Sequence, residues 1–382
     1  MSTTMDQIAR PVHMVDVIGQ YKRYQTEIDD AIMRVVKSGA YINGPAVKAF
    51  ERNMESYLGV KHAIACASGT DALQVALMAI GIKPRDEIIT SPFTFVATTE
   101  TIALLGGIPV YVDIDPETFN IDVERIAERI TPRTKAILPI HIFGQPANMT
   151  RIMEIAKANN IFVIEDAAQA VGAKWNNQNA CTFGDISCIS FYPSKNLGAF
   201  GDAGMITSDN DELAAIIRSI CNHGASVTYH HDRLGVNSRL DSIQATILDV
   251  KLKYLDEWNA RRREVAGLYS SLFAPYADLI TTPVTDPSAT HIWHQYSILL
   301  GSNRDTVMAA LKLKGIPTSI YYPIPLHLQP AYSSYGSKLG DYPHSENTSA
   351  HILALPMHSE LSDDDVHYIA DHIIQTVNEL CR

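Results

Sequence analysis

Lys195 lies in the run Ser190-Phe191-Tyr192-Pro193-Ser194-Lys195-Asn196-Leu197-Gly198-Ala199, directly after a short apolar segment, Ile186-Ser187-Cys188-Ile189. Upstream, the apolar residues 161–164 lead into Glu165-Asp166-Ala167-Ala168-Gln169. A lysine beyond one strand and a carboxylate beyond another suit an imine-forming cofactor whose ring carries a basic nitrogen. The amine forms the Schiff base and the anion pairs with the protonated ring, the two demands that pyridoxal phosphate makes. A lone lysine is most often a solvated surface charge. The inference rests on the pair.

A phosphate would need its own cradle. Ala67-Ser68-Gly69-Thr70-Asp71 joins a strand to a helix, and free N–H groups at a helix N-terminus beside small hydroxyl residues bind phosphate. An ordinary Ser or Thr N-cap has the same pattern. The chain has no Rossmann fingerprint here, since Gly198-Ala199-Phe200-Gly201 lacks the G-x-G-x-x-G spacing and precedes a strand-like run, Met205-Ile206-Thr207. Phe93 follows the strand-like run Glu87-Ile88-Ile89-Thr90 and offers a ring to stack on a flat cofactor, although an aromatic there serves a core equally well. Gln169, three residues after Asp166, could hydrogen-bond a phenolic oxygen.

Other polar clusters carry less. In Tyr229-His230-His231-Asp232-Arg233 the adjacent histidines of an extended segment point to opposite sides, and His291-Ile292-Trp293-His294 lacks the i, i+4 pair of a helical zinc site. No metal is expected. The net charge of −11 argues against nucleic acid, and Arg261-Arg262-Arg263 reads as a solvated helix face. No stretch of eighteen apolar residues suggests a membrane span, and residues 1–16 lack the apolar core of a signal peptide. Cys66, Cys181, Cys188, Cys221 and Cys381 are odd in number and have no CxxC spacing. Reduced thiols in a cytoplasmic enzyme follow.

The elements that must position these groups alternate between residues 60 and 210. Strands are expected at 62–67, 87–90, 109–114, 136–142, 161–164 and 186–189, and helices at 71–80, 95–105, 123–130 and 149–158. Continuous hydrophobicity in the strands indicates a mostly parallel sheet covered by helices, with ligands beyond the strands' carboxyl ends. Leu240, Ile243, Ile247, Val250, Tyr254 and Trp258 have the spacing of one long amphipathic helix. Beyond it, residues 296–300, 306–314 and 319–321 and a last helix over 363–380 suggest a smaller α/β domain. The expected division is 1–255 for the large domain and 256–382 for the small one.

The blocks Ala67 to Leu73, Glu165 to Gln169, Ser190 to Gly204 and Gly235-Val236-Asn237-Ser238-Arg239-Leu240-Asp241 resemble those of the DegT/StrS family. These are the fold-type I pyridoxal-phosphate enzymes known as nucleotide-sugar aminotransferases. Tyr322-Pro323-Ile324-Pro325-Leu326-His327 and Leu355-Pro356-Met357 extend the resemblance to nearly the whole chain. The resemblance implies that Lys195 carries the cofactor, Asp166 pairs with its pyridine nitrogen, Gln169 contacts its phenolic oxygen and Phe93 covers one ring face. Gly69, Thr70 and Ser190 would hold the phosphate, completed by Asn237 from the partner subunit of a homodimer with shared active sites. Arg239, His230, His231, Tyr321 and His327 would face the substrate. The family often has His-Tyr-Pro where this chain has Tyr321-Tyr322-Pro323.

Transamination is the implied reaction, with L-glutamate as donor, pyridoxamine phosphate as intermediate and a nucleotide-linked keto-sugar as acceptor. The Tyr229-His230-His231 segment is similar to members that aminate a 3-keto N-acetyl-hexuronate, and residues 252–259 to members acting on 3-keto-6-deoxyhexoses. Arg239 and protonated His230 or His231 would suit a uronate carboxylate, which favours UDP-2-acetamido-2-deoxy-3-keto-hexuronate. The alternatives are a dTDP-3-keto-6-deoxyhexose, amination at C-4, or a non-catalytic sugar-binding or regulatory protein on the same fold.

Overall fold

In the computed structural model the described residues are 12–227, 229–301 and 303–380. Cys381 and most of the 1–16 segment lie outside them. Seven strands form the central sheet: β1 (His62–Cys66), β2 (Glu87–Thr90), β3 (Ile108–Tyr111), β4 (Thr134–Ile137), β5 (Phe162–Asp166), β6 (Ile186–Ser190) and β7 (Gly204–Ser208). Their order is β1-β7-β6-β5-β4-β2-β3. All neighbours are parallel except β7, which runs antiparallel to both β1 and β6. Apolar side chains alternate between two helical layers. Ala63, Ala65, Ile189 and Met205 join Phe50 and Met54 of the helix Pro45–Leu58 on one face. Ile64, Ile186, Cys188 and Ile206 join Leu73, Ala76 and Leu77 of the helix Gly69–Ala79 on the other. Burial on both faces is why the strands read as continuous apolar runs.

Register aligns the chemistry. Cys66 and Ser190 both pair with Gly204, and Asp166 pairs with Cys188. The carboxyl ends of β1, β5 and β6 therefore share one edge of the sheet.

Several expected elements differ. The stretch 123–130 folds as two short 3-10 turns, Val123–Arg125 and Ala127–Arg129, because Ile126 alone among those residues is buried and one anchor does not support an amphipathic helix. The strand expected over 136–142 stops at Ile137, just before Pro139, which has no N–H to give a ladder. The long helix through Trp258 is two helices, Ser242–Leu252 and Leu255–Phe273, separated by a turn in which Tyr254 N–H donates to Lys251 O at 3.0 Å. Tyr254 is drawn off the helix line onto Tyr24, with ring centroids 4.0 Å apart. Arg262 is not on a solvated face. It is buried, and its Nη1 donates to the carbonyls of Trp293, His294 and Met357.

A second sheet, Ile280–Thr281, Tyr296–Leu300 and Ile352–Leu355, is antiparallel. Ser319 adds a single bridge to Ala354 where a strand over 319–321 was expected. The helices Arg304–Leu313 and Asp363–Leu380 cover this sheet. Among the described residues no helix is long and apolar enough to cross a membrane.

Candidate active site

Asp166 is the last residue of β5 and is buried. Thr98 Oγ1–H donates to its Oδ2 at 2.8 Å, and Ala168 N–H to its Oδ1 at 3.2 Å. Burial raises its carboxyl above the usual range, opposed by those two donors and by the charge of Lys195. No ion pair reaches it among the described residues. A buried carboxylate with neutral donors and no paired cation is costly, so it suits a ligand that brings a cationic N–H.

Glu165 next to it is a tether. It is fully buried and accepts from His141 Nε2–H, the N–H groups of Cys181, Phe183 and Gly184, and Ser187 Oγ–H. His141 Nδ1 accepts from Ala147 N–H at 3.1 Å, which leaves the ring proton on Nε2 for Glu165. Burial would raise Glu165, but these bonds, led by His141, hold its carboxyl below the usual range. The tail of β5 is fixed in register as a result.

Lys195 is half-buried in a loop closed on itself by Lys195 N–H to Tyr192 O and Ala199 N–H to Phe191 O, each 2.8 Å. Helix Ser242–Leu252 grips the far side: Gln244 Oε1 accepts from Phe200 N–H, and buried Lys251 Nζ donates to Gly198 O. Burial lowers the Lys195 ammonium to about 8, against the opposing pull of Asp166.

The loop after β1 has the donors that an anion needs. Ser68 caps the helix Gly69–Ala79 by accepting from Asp71 N–H, while the N–H groups of Gly69 and Thr70 have no acceptor among the described residues. A Cβ on Gly69 would lie 2.6 Å from Ser190 Cβ, and one on Gly204 would lie 2.3 Å from Ser68 O. Only glycine permits these approaches, which bring Gly69 and Ser190 side by side. Ser238 Oγ accepts from Ala67 N–H, fixing the loop from behind.

Gln169 is held on both sides. Its Oε1 accepts from Phe143 N–H at 2.6 Å, and its Nε2–H donates to Tyr322 OH at 3.2 Å. Phe93 does not present a ring face to a cleft: it is 1% exposed, enclosed by Phe119, Phe143 and Tyr322. Phe95 is the exposed ring, at 56%, with Tyr322 beside it. An aromatic two residues from a strand end sits on either side of the chain, and sequence alone did not separate the two.

The remaining residues divide. Tyr321 is half-buried beside Tyr322. His327 is not open to a substrate: it is 2% exposed, bonded through Nε2 to Glu346 and packed against Tyr342. Asn237 is exposed and pairs along the backbone with Asn222. Arg239 lines a surface cleft of about 300 Å³ with Asn43, Lys48 and Arg218. His230 and His231 are exposed on a hairpin with Ala225–Val227. None of these last four has a hydrogen bond to Asp166, Lys195 or Gly69. Among the described residues no group of three or more His, Cys, Asp and Glu is arranged for a metal. Thr98, Glu165, Phe95 and Lys251 escaped sequence reasoning, because a threonine or lysine inside a helix gives no sign of what it will meet.

The aminotransferase family model described as DegT/DnrJ/EryC1/StrS matches residues 22–374. The chain belongs to this family. It is 44% identical over 94% of its length to UDP-2-acetamido-2-deoxy-3-oxo-D-glucuronate aminotransferase of Pseudomonas aeruginosa, of which 98% is covered. It is 45% identical over 95% of its length to a pleiotropic regulatory protein of Geobacillus stearothermophilus, again with 98% covered. The solved structure of S. venezuelae DesV in complex with a ketimine intermediate superposes with a TM-score of 0.94 at 36% identity, covering 97% of this chain and 99% of that one. The protein is thus a pyridoxal-phosphate-dependent nucleotide-sugar aminotransferase with the fold of that group, an enzyme rather than a binder. The residues present fit the cofactor: a cradle that a Cβ would fill, a buried carboxylate without a cation, and a lysine of lowered basicity.

Proposed function

We propose that this aminotransferase converts a UDP-linked 2-acetamido-2-deoxy-3-keto-hexuronate to the 3-amino sugar, with L-glutamate as donor, in the making of a surface polysaccharide. The observation that carries the substrate is the near full-length likeness to the P. aeruginosa enzyme of that name. Lys195 and Asp166 carry the chemistry. When bound, the cofactor supplies the electron sink for a carbanion. Asp166 holds the ring cation, for which it has no substitute partner. Lys195 Nζ, near 8 rather than the usual 10.5, is unprotonated for part of the time at neutral pH and can take and return a proton at the substrate carbon. Gly69, Thr70 and Ser190 bind the phosphate, Gln169 keeps the phenolic side, and Phe95 rather than Phe93 covers the ring.

The cytoplasm suits an enzyme with buried, reduced cysteines at positions 66, 181, 188 and 221. We read the chain as two domains meeting near residue 255: Leu255 packs in the large core, whereas Val265, Tyr269 and Phe273 of the same helix pack in the small one. We read the enzyme as a homodimer. The hairpin that carries His230 and His231 also exposes Val227 (61%) and Tyr229 (90%), with Leu234 (88%) just beyond it, apolar surface that a second copy would cover. Asn237 and Arg239 would then serve the partner's site. A panel of UDP- and dTDP-linked 3-keto and 4-keto sugars, added to glutamate-treated enzyme, tests the substrate. Return of the visible absorbance of the lysine-bound cofactor fastest with the UDP-linked 3-keto-uronate supports the reading. A dTDP-linked or 4-keto sugar that wins refutes it.

A further inference from the structure

His294 has no part in any role assigned so far, yet it stands between two of the assigned groups. It is 7% exposed, and its Nδ1 lies 3.2 Å from Oδ1 of Asn196, the residue after Lys195. The other end of the Asn196 amide fixes its orientation, since Nδ2–H donates to Asn259 Oδ1 at 2.8 Å and to Ile292 O at 3.1 Å. An amide oxygen can only accept, so His294 Nδ1 carries a proton. Burial, followed by the charges of Lys195 and Arg262, holds the ring far below the usual histidine range, so it is neutral with Nε2 unprotonated. Its main chain is equally constrained. Arg262 Nη1 donates to His294 O, and a Cβ on Gly144 would lie 2.9 Å from His294 N and 3.1 Å from Gln169 O. His294 therefore links the turn that carries Gln169 to the loop that carries Lys195.

We propose that His294 is the positioning residue of the Lys195 loop, holding Asn196 through its neutral Nδ1–H tautomer and thereby aiming Lys195 Nζ into the cleft. The other anchors of this loop hold backbone: Lys195 N–H on Tyr192 O, Ala199 N–H on Phe191 O, and the side chains of Gln244 and Lys251 on Phe200 and Gly198. Among the described residues Asn196 is the side chain next to Lys195 that ties the middle. The proposal rests on Lys195 being the working amine. Loosening the tie lets water reach Nζ, and because burial is what depresses that ammonium, its basicity should climb back toward the free value.

The test reads Lys195 in cofactor-free protein, by mass spectrometry of its peptide after trace labelling with acetic anhydride across a pH series, normalised to an internal amine of known basicity. The anhydride is uncharged throughout and reacts with the neutral amine. The wild-type profile should be half-complete near pH 8. His294→Phe and Asn196→Ala should each move it to higher pH by about one unit, roughly tenfold less neutral amine at a given pH below the transition. His294→Asn, which places an N–H where Nδ1–H was, should leave it in place. The double variant His294→Phe/Asn196→Ala should move no further than either single one, as expected for two residues in one interaction. Melting curves confirm that each variant is folded. A wild-type profile in His294→Phe, or a profile in His294→Asn displaced as far as in His294→Phe, overturns the proposal. Borohydride trapping of the cofactor in wild-type protein keeps the two claims apart: cofactor on another lysine sinks the Lys195 assignment whatever the labelling shows.

Discussion

At the residue scale, Asp166 and Lys195 feel one another's charge, and each has its titration bent by burial in the direction that leaves it less charged. Neither is stable as it stands without help, which is the usual condition of a catalytic group. Asp166→Asn should keep the fold and retain some cofactor, because Thr98 can still bond the amide oxygen. It should lose activity by roughly two to three decades, the consequence of removing a charged partner worth about 2–5 kcal/mol from a desolvated nitrogen. Steady-state kinetics with glutamate check this, and a loss under about twofold would remove Asp166 from the role. The places of both residues were legible in the sequence because each follows a short apolar run: Asp166 ends β5, and Lys195 lies in the loop after β6. Phe93 and His327 were misplaced for the converse reason. An aromatic or a histidine near a site can serve packing or chemistry, and only burial decides between them.

At the scale of the element, the loop between β1 and the helix Gly69–Ala79 is the phosphate cradle we propose, and its geometry depends on the close contact of Gly69 with Ser190 of β6. Gly69→Ala would force a methyl to within 2.6 Å of Ser190 Cβ. A strain of about 1–3 kcal/mol should weaken cofactor affinity by roughly tenfold or more. Ser190→Gly in the same chain should recover part of the loss by making room, even though it removes a hydroxyl from the cradle. Cofactor titration followed by absorbance measures both, and unchanged affinity in Gly69→Ala would place the phosphate elsewhere. The strands themselves were readable because a sheet buried on both faces writes its core as unbroken apolar runs. The break at Lys253 and Tyr254 was not readable, since the apolar spacing continues through it. Tyr254 leaves the helix to meet Tyr24, more than two hundred residues earlier.

At the scale of the whole molecule, buried histidines set the response to acid. Burial, and for His358 also the nearby charge of Arg262, lowers His358 to about 4 and His291 to about 3. The unfolded chain takes up protons near 6.5, where the folded one does not, so between about pH 6.5 and 4 unfolding binds protons and stability must fall as the pH falls. For His358 alone the shift corresponds to about 3 kcal/mol. The melting temperature of cofactor-free protein should drop steadily across that window, and His358→Phe should flatten the drop. A flat wild-type profile would show that these rings are open to solvent. Assembly makes its own prediction: mixed reassembly of inactive Lys195→Ala and Asn237→Ala chains should restore activity through one composite site per heterodimer. Heterodimers no more active than their parents would contradict a shared site. The most direct measurement follows the amine itself. Protein loaded with pyridoxal phosphate is treated with 15N-labelled glutamate, freed of small molecules, and given the UDP-linked 3-keto-uronate. The expected result is 15N at C-3 of the sugar, with the cofactor returned to its lysine-bound absorbance. Label that stays on the protein, or a sugar that returns unaminated while the cofactor reverts, would contradict it.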